Sequence, residues 1–272
     1  MDASDVIRWR DRISKLNDEL TAVSRPSGFE QAPGSPASLD TAAIEDSEPV
    51  ATLVSQALLL LESVGEHVAA ATDALHEPAK VMACFSCVRV AMEVASLSWW
   101  LLDPSLRSVE RVSRSVALRS KGLSEQSKIL RENPEWDTGK IPGRNAAIEE
   151  RVLRHGLSRI VLPSTTELVA ITFGDRAHYR LSSAVVHGHA WALLQIGFAA
   201  AEPHGNGVFV HKTAKPAVLV YVLMLALEAV SRSFWATSRY VGADVASVEK
   251  VLVAAHTDLR VRPNKWCWRQ AG

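Results

Sequence analysis

The sequence predicts an all-α protein built as a single helical bundle, and three observations support this prediction. Apolar residues make up 47% of the 272 residues, which is enough for a large core. Apolar positions recur at the helical spacing of three and four residues through most of the chain. The connections between these periodic segments are short, as in helical bundles. We therefore expect about seven to nine helices.

The first 48 residues are predicted to lie outside the bundle. Residues 5–23 have helical periodicity and many charges, which favours a solvated helix. Residues 25–48 are rich in Pro, Gly and Ser and end in an acidic stretch, so we expect a disordered or loop-like linker there. The predicted organisation is an N-terminal helix with its linker (1–48), a bundle domain (49–261) and an irregular tail containing tryptophans (262–272).

The bundle elements are predicted from their periodicity and from residues typical of helix ends. Pro49 suits the first turn of a helix, and Ser164 with Glu167 matches a capping box. Gly174 and Asp175 separate a short helix from a long one that we expect to run from Arg176 to about Ala201. Residues 202–213 favour a loop, with room for a short strand. The expected helices cover roughly 49–75, 78–102, 105–132, 145–155, 164–173, 176–201, 214–241 and 243–260.

Composition narrows the classes of function. Basic and acidic residues number 30 each, whereas a dedicated nucleic-acid binder usually carries a basic excess. Nucleic-acid binding stays open, because charge can be segregated locally on the surface. Three cysteines do not form a disulfide framework, and the apolar runs at 51–61 and 217–227 are too short to span a bilayer. We therefore expect a cytoplasmic protein without a membrane partner.

No metal or cofactor is expected. Cys84 and Cys87 form a lone CxxC within a helix, and a structural zinc site needs about four ligands, so buried thiols are favoured. His187 and His189, placed on one helix, point in nearly opposite directions and chelate poorly.

A polar stripe on the helix from Arg176 is the strongest candidate site. Arg176, Arg180, Ser183 and His187 fall on one narrow helical face between apolar flanks. One interpretation is a partly exposed face or a core histidine satisfied by Ser183 or a neighbouring helix. The other is a site in which Arg180 binds an anion and His187 transfers a proton. Gly188 would allow another backbone or a ligand to approach closely.

The segment from Arg180 to His187 resembles the Arg-x4–6-His signature of the HEPN superfamily, the higher eukaryotes and prokaryotes nucleotide-binding domains. Its wider context, with Arg89-xxx-Glu93, Trp100-Leu-Leu-Asp-Pro104 and Tyr179-Arg180-xx-Ser183, also resembles uncharacterised actinobacterial helical proteins. Many HEPN proteins are metal-independent ribonucleases or nucleotide-modifying toxins that act as dimers. The resemblance implies that Arg180 stabilises phosphate, that His187 serves proton transfer and that the chain forms a homodimer.

A second polar patch lies on the helix predicted at 78–102. Arg89 and Glu93 are spaced as i,i+4 partners on a strongly apolar helix, with Trp100 on the same face. An ordinary intrahelical ion pair is one interpretation. The other is that the pair faces the Arg180 and His187 stripe and orients it, with Trp99 or Trp100 as a wall, and Tyr179 is a supporting candidate.

A basic stripe follows Pro104. Arg107, Arg111, Arg114 and Lys121 share one helical face, which suggests contact with phosphate or an RNA backbone. A solvated helix face, or neutralisation of the acidic segment from Asp40 to Glu48, explains the same pattern.

Three functions remain open from the sequence. The first is a HEPN-like protein that binds RNA or a phosphate-bearing ligand, with Arg180, His187 and Ser183 as catalytic residues supported by Arg89, Glu93, Trp100, Arg176 and Tyr179. The second is a metal-independent enzyme of small-molecule metabolism with an apolar, Trp-lined cavity. The third is a non-catalytic interaction module. A closed pocket around His187 favours a small substrate, and an open basic groove favours RNA.

Overall fold

A computed structural model describes residues 2–24, 31–44, 47–136, 140–174, 176–196, 202–204, 207–209 and 215–260. These residues form eleven α-helices, one short 3-10 helix at Pro134–Trp136 and one antiparallel pair of three-residue strands, β1 (Glu202–His204) and β2 (Gly207–Phe209). The helices are α1 (Ala3–Ser24), α2 (Pro36–Ala43), α3 (Ser47–Asp73), α4 (Val81–Leu101), α5 (Ser108–Glu132), α6 (Lys140–Arg154), α7 (Thr165–Phe173), α8 (Ala177–Val186), α9 (Ala190–Ile196), α10 (Pro216–Val241) and α11 (Val245–Asp258). The all-α class is confirmed, and the expected number of helices was too low.

The centre of the bundle is formed by α3, α4 and α10, which pack against one another. Phe85 and Met92 of α4 and Leu223 and Leu227 of α10 are fully buried, because both helices are apolar around most of their circumference. By length and composition, α4 and α10 could each cross a membrane. Within their most apolar windows, however, 50% and 72% of the residues are buried inside the bundle, as in the core helices of globular proteins.

Helix α1 belongs to the main core, which corrects the expectation of a solvated helix. Ile13, Leu16 and Leu20 are fully buried, and α1 packs against α3, α10 and α11. Its charges lie on the other face, where Arg12 forms ion pairs with Glu19 at 3.1 Å and Asp258 of α11 at 2.8 Å. Helix α1 is therefore an amphipathic helix whose apolar stripe is covered by α3, α10 and α11.

The segment expected to be a linker contains a helix. Ser35 caps α2 by accepting a hydrogen bond from the Ser38 backbone N–H, and Pro36 occupies the first turn. Asp40 of α2 is buried against Arg111 of α5 and Tyr240 of α10. Residues 25–30 and 45–46 of that segment, and the predicted tail at 262–272, lie outside the described residues.

The end of α10 is a point of close packing. Gly242 has a φ of 75°, and a Cβ added there would lie 2.7 Å from Cβ of Ser35 and 2.8 Å from Cβ of Ala32. The Ala32 N–H also donates to the Val241 carbonyl at 2.8 Å. Only glycine can adopt this positive φ and also leave room for the side chains of Ala32 and Ser35.

We expect Gly242→Ala to lower the free energy of unfolding by about 2–4 kcal/mol, because it adds strain at positive φ to overpacking. Urea denaturation measures the loss. Gly122→Ala is the matched control: an added Cβ at this position of α5 meets nothing within 4 Å, so this change is expected to be neutral or stabilising. Equal stability of the Gly242→Ala protein and the wild type would contradict the prediction.

Candidate functional site

Helix α8 lies against α4 and presents the predicted polar stripe to solvent. Tyr179, Ser182 and Val185 are buried on its inner side. On its outer side Arg176, Arg180 and His187 are exposed, and Ser183 is half-buried. The stripe is therefore an open face of the bundle.

Arg180 and His187 are unpaired within the part of the chain that the structure describes: neither side chain forms a hydrogen bond or ion pair there. Arg176, in contrast, has an acidic neighbour, because it lies near Glu167 at the start of α7. Hydrogen bonds from Ser164 hold the pKa of Glu167 below its ordinary value, and the positive charge of Arg176 adds to this effect. These bonds form the capping box that the sequence predicted for α7.

The helix expected from Arg176 to about Ala201 is in fact two helices, and Gly188 separates them. The Gly188 N–H donates to the Val185 carbonyl, and the His189 N–H donates to the Ala184 carbonyl. With a φ of 71° at Gly188, this pattern is a Schellman motif, which ends a helix. Among the described residues, a Cβ added to Gly188 would meet nothing within 4 Å, so it is the positive φ of this turn that requires the glycine.

The turn leaves His187 as the last residue of the α8 face. Its backbone N–H caps the helix by donating to the Ser183 carbonyl. Beyond the turn, α9 carries Trp191, which is 53% exposed. An exposed guanidinium and an exposed imidazole on the α8 face are thus followed in the chain, after the turn, by an exposed indole ring.

Arg89, Glu93 and Tyr179 form a small cluster that attaches α8 to α4. Nε of Arg89 lies 3.0 Å from Oε1 of Glu93, and the Tyr179 hydroxyl donates to the same oxygen at 2.9 Å. Nη2 of Arg89 donates to the Tyr179 hydroxyl at 3.4 Å. The second polar patch therefore meets α8 through Tyr179, next to Arg180 in the chain, and its described contacts do not include Arg180 or His187.

The Tyr179 hydroxyl is a lasting donor in this cluster. A tyrosine is protonated at neutral pH, and removal from solvent raises the pKa of the Tyr179 hydroxyl further above its ordinary value. A further contact, between the Tyr221 hydroxyl and Nδ1 of His178, joins α8 to α10. Tyr221 and His178 were not predicted from the sequence, because their pairing links residues 43 positions apart.

The predicted basic stripe on α5 is not a free cationic surface. Arg107 pairs with Glu110 and Lys121 with Glu125. Arg111 is buried on Asp40 at 2.9 Å, which agrees with the alternative that this stripe neutralises the acidic segment.

Arg114 and Trp100 form a pair of their own. The guanidinium of Arg114 lies over the Trp100 ring, 4.8 Å from its centroid, and donates to the Trp100 carbonyl. The Trp100 ring is thus covered by the Arg114 guanidinium, and the Trp99 ring lies under the Arg232 guanidinium. A wall formed by Trp99 or Trp100 beside the α8 face therefore stays a prediction.

The cysteines of α4 are free thiols. Burial raises the pKa of Cys84 to about 12, so this sulfur stays protonated and unreactive at neutral pH. Among the described residues, no three His, Cys, Asp or Glu side chains are grouped closely enough to hold a metal ion. Cys267 lies outside those residues.

Comparison with known proteins adds no assignment: no protein-family model, no curated protein and no solved structure matches this chain. The function proposed below therefore rests on the contacts and exposure of the chain's own residues.

Proposed function

We propose that the exposed face of α8 binds RNA and that the protein is a HEPN-like, metal-independent ribonuclease. The observation that carries the proposal is that Arg180 and His187 are exposed and unpaired in the described structure. In contrast, five of the other predicted cations have a carboxylate partner in the protein, namely Arg89, Arg107, Arg111, Arg114 and Lys121. An arginine without a carboxylate partner is free to bind an external phosphate.

The spacing of the two residues suits a polynucleotide. Seven residues of helix separate their Cα atoms by about 10 Å along the axis, so both side chains can contact adjacent nucleotides of one strand. Trp191, exposed on α9, offers an aromatic face on which an unpaired base can stack. Single-stranded RNA is the substrate class that combines these features.

The residues present suit cleavage by the 2′-hydroxyl of the RNA. In this reaction the 2′-oxygen forms a bond to the adjacent phosphorus, and the bond from phosphorus to the 5′-oxygen breaks. His187 accepts the proton of the 2′-hydroxyl and returns a proton to the departing 5′-oxygen, so no water is consumed. Arg180 stabilises the negative charge on the phosphoryl oxygens. The products are a 2′,3′-cyclic phosphate and a 5′-hydroxyl.

An open face favours this function over a small-molecule enzyme at the same residues, because a small substrate needs an enclosing pocket. A cavity of about 490 Å³ lies between α1, α3 and α10, and its lining contains neither Arg180 nor His187. The proposal assigns the protein to the cytoplasm, where RNA is present.

The proposal is tested by measuring RNA affinity over a range of salt concentrations. Fluorescence anisotropy with a labelled single-stranded RNA is expected to show weaker binding for Arg180→Ala. The slope of log affinity against log salt should fall by about 0.7, which is the contribution of one phosphate contact on a single strand. Arg131→Ala is the matched control, because Arg131 is an exposed cation on α5 without a partner in the described structure.

A reduced slope for Arg180→Ala together with an unchanged slope for Arg131→Ala supports the proposal. Equal effects of the two substitutions would contradict it, because they would indicate attraction by overall charge. Absence of RNA binding by the wild type at low salt would contradict it as well.

A further inference from the structure

A cavity of about 490 Å³ opens between α1, α3 and α10, away from the α8 face. Its volume lies within the range of sites that hold small ligands. The residues that line it are Asn17 and Thr21 of α1, Leu58, Leu61, Glu62, Gly65 and Glu66 of α3, and Phe234 of α10.

Part of the lining is apolar. Leu61 and Phe234 are only 5% and 4% exposed, and Leu58 is half-buried beside them. Leu58, together with the exposed edges of Leu61 and Phe234, can cover the hydrocarbon part of a ligand.

Two side-chain donors of the cavity bind the protein itself. Nδ2 of Asn17 donates to the Gly65 carbonyl at 3.4 Å, and the Thr21 hydroxyl donates to the Asn17 carbonyl at 2.8 Å. Oδ1 of Asn17 is buried and has no hydrogen-bond partner in the described structure. Apart from the second N–H of the Asn17 carboxamide, the side-chain groups of the lining that can still bind a ligand are therefore acceptors.

Two of these acceptors carry negative charge. Glu62 and Glu66 are exposed at the cavity, and neither forms an ion pair or hydrogen bond within the described structure. They are separated by one helical turn on α3, an arrangement of like charges that is slightly unfavourable in an isolated helix. A cation bound between them removes this repulsion.

Gly65 lies between the two glutamates in the chain, where α1 comes close to α3. A Cβ added there would lie 3.2 Å from Oδ1 of Asn17, which is tighter than ordinary van der Waals contact. The small residue thus allows the Asn17 carboxamide of α1 to lie close to α3.

From this lining we infer that the cavity binds an aliphatic polyamine, with its ammonium groups at Glu62 and Glu66 and its methylene chain on Leu58, Leu61 and Phe234. Ammonium groups donate three hydrogen bonds each and accept none, which matches the carboxylates of Glu62 and Glu66, whose oxygens only accept. Two carboxylates one turn apart suit a ligand that carries more than one positive charge. This site is independent of the proposed RNA-binding face.

Isothermal titration calorimetry of the full chain with spermidine tests the inference. The wild type is expected to bind spermidine and hexane-1,6-diamine and not hexane-1,6-diol, which has a similar length without charge. The double variant Glu62→Gln/Glu66→Gln is expected to bind about tenfold more weakly or worse, because it loses two charge-assisted contacts. Both residues are exposed, so the variant should fold.

The matched control is Glu132→Gln/Glu135→Gln, which removes the same charge from two exposed glutamates that do not line the cavity and form no ion pair or hydrogen bond within the described structure. Unchanged binding by this control together with weakened binding by the cavity variant supports the site. The inference is overturned if the wild type does not bind spermidine, if diamine and diol bind equally, or if both double variants lose the same affinity.

Discussion

Replacing Asp40 with alanine is expected to lower the free energy of unfolding by about 3–5 kcal/mol, the largest loss of stability that we predict for one substitution. Asp40 and Arg111 are almost fully buried, with side-chain exposures of 1% and 5%. Nε of Arg111 donates to Oδ2 of Asp40 at 2.9 Å, and the Tyr240 hydroxyl donates to the same oxygen at 3.0 Å. Removal of the carboxylate leaves a guanidinium buried without its counter-ion.

The Arg111 side chain cannot turn towards solvent without losing two further hydrogen bonds, because its other nitrogens are also bound. Nη1 donates to the Asp103 carbonyl at 2.9 Å, and Nη2 donates to the Leu106 carbonyl at 3.0 Å. Tyr240 is fixed in the same way: burial, with the nearby Asp40 carboxylate, raises the pKa of its hydroxyl well above the ordinary value. The cluster joins α2, α5 and α10, so its loss should loosen all three helices.

Urea denaturation followed by circular dichroism measures this effect. Asp18→Ala is the matched control, since Asp18 is exposed on α1 and has no partner in the described structure, and we expect a change within about 0.5 kcal/mol. The double variant Asp40→Leu/Arg111→Met should recover part of the lost stability, because it removes both buried charges together. If Asp40→Ala and Asp18→Ala have the same small effect, the buried ion pair does not stabilise the fold.

Local sequence patterns predicted the helices that have a clear apolar face and a strong boundary. The α7 capping box from Ser164 to Glu167 is present as predicted, because it depends on residues only three positions apart. Helix α2 was missed although Ser35 and Pro36 are typical of a helix start, because the surrounding Pro and Gly residues favoured a loop. Gly188 likewise marked the end of α8, and periodicity across it suggested one continuous helix.

Contacts between distant parts of the chain were not predictable from these patterns. The spacing of Arg111 with Arg107 and Arg114 indicates a shared helical face, and it does not indicate that Asp40, 71 residues earlier, buries one of them. For the same reason, periodicity placed Arg180 and His187 on one face of α8 without specifying whether that face meets solvent or the core. The cavity at Glu62 and Glu66 depends on the packing of α1 and α10 against α3, and no local pattern marks it.

The largest effect on activity is expected for His187→Ala, which should slow RNA cleavage by about 10²–10⁴-fold, the usual contribution of general acid–base catalysis. The side chain is exposed and makes no contact in the described structure that would stabilise the fold. The variant should therefore unfold at the same urea concentration as the wild type. RNA binding should be largely retained, because Arg180 is unchanged.

His189→Ala is the matched control for this substitution. His189 is also exposed, lies two residues away and is separated from the α8 face by the turn at Gly188. Its removal changes the same chemical group without altering the proposed site, so its cleavage rate should equal that of the wild type.

The most direct measurement is cleavage of labelled single-stranded RNA by the wild type, His187→Ala and His189→Ala side by side in the presence of a metal chelator. The account predicts cleavage by the wild type and His189→Ala, with products that end in a 2′,3′-cyclic phosphate, and a rate reduced at least a hundredfold for His187→Ala. Absence of cleavage by the wild type, or equal rates for all three proteins, would contradict the assignment of the α8 face as a ribonuclease site.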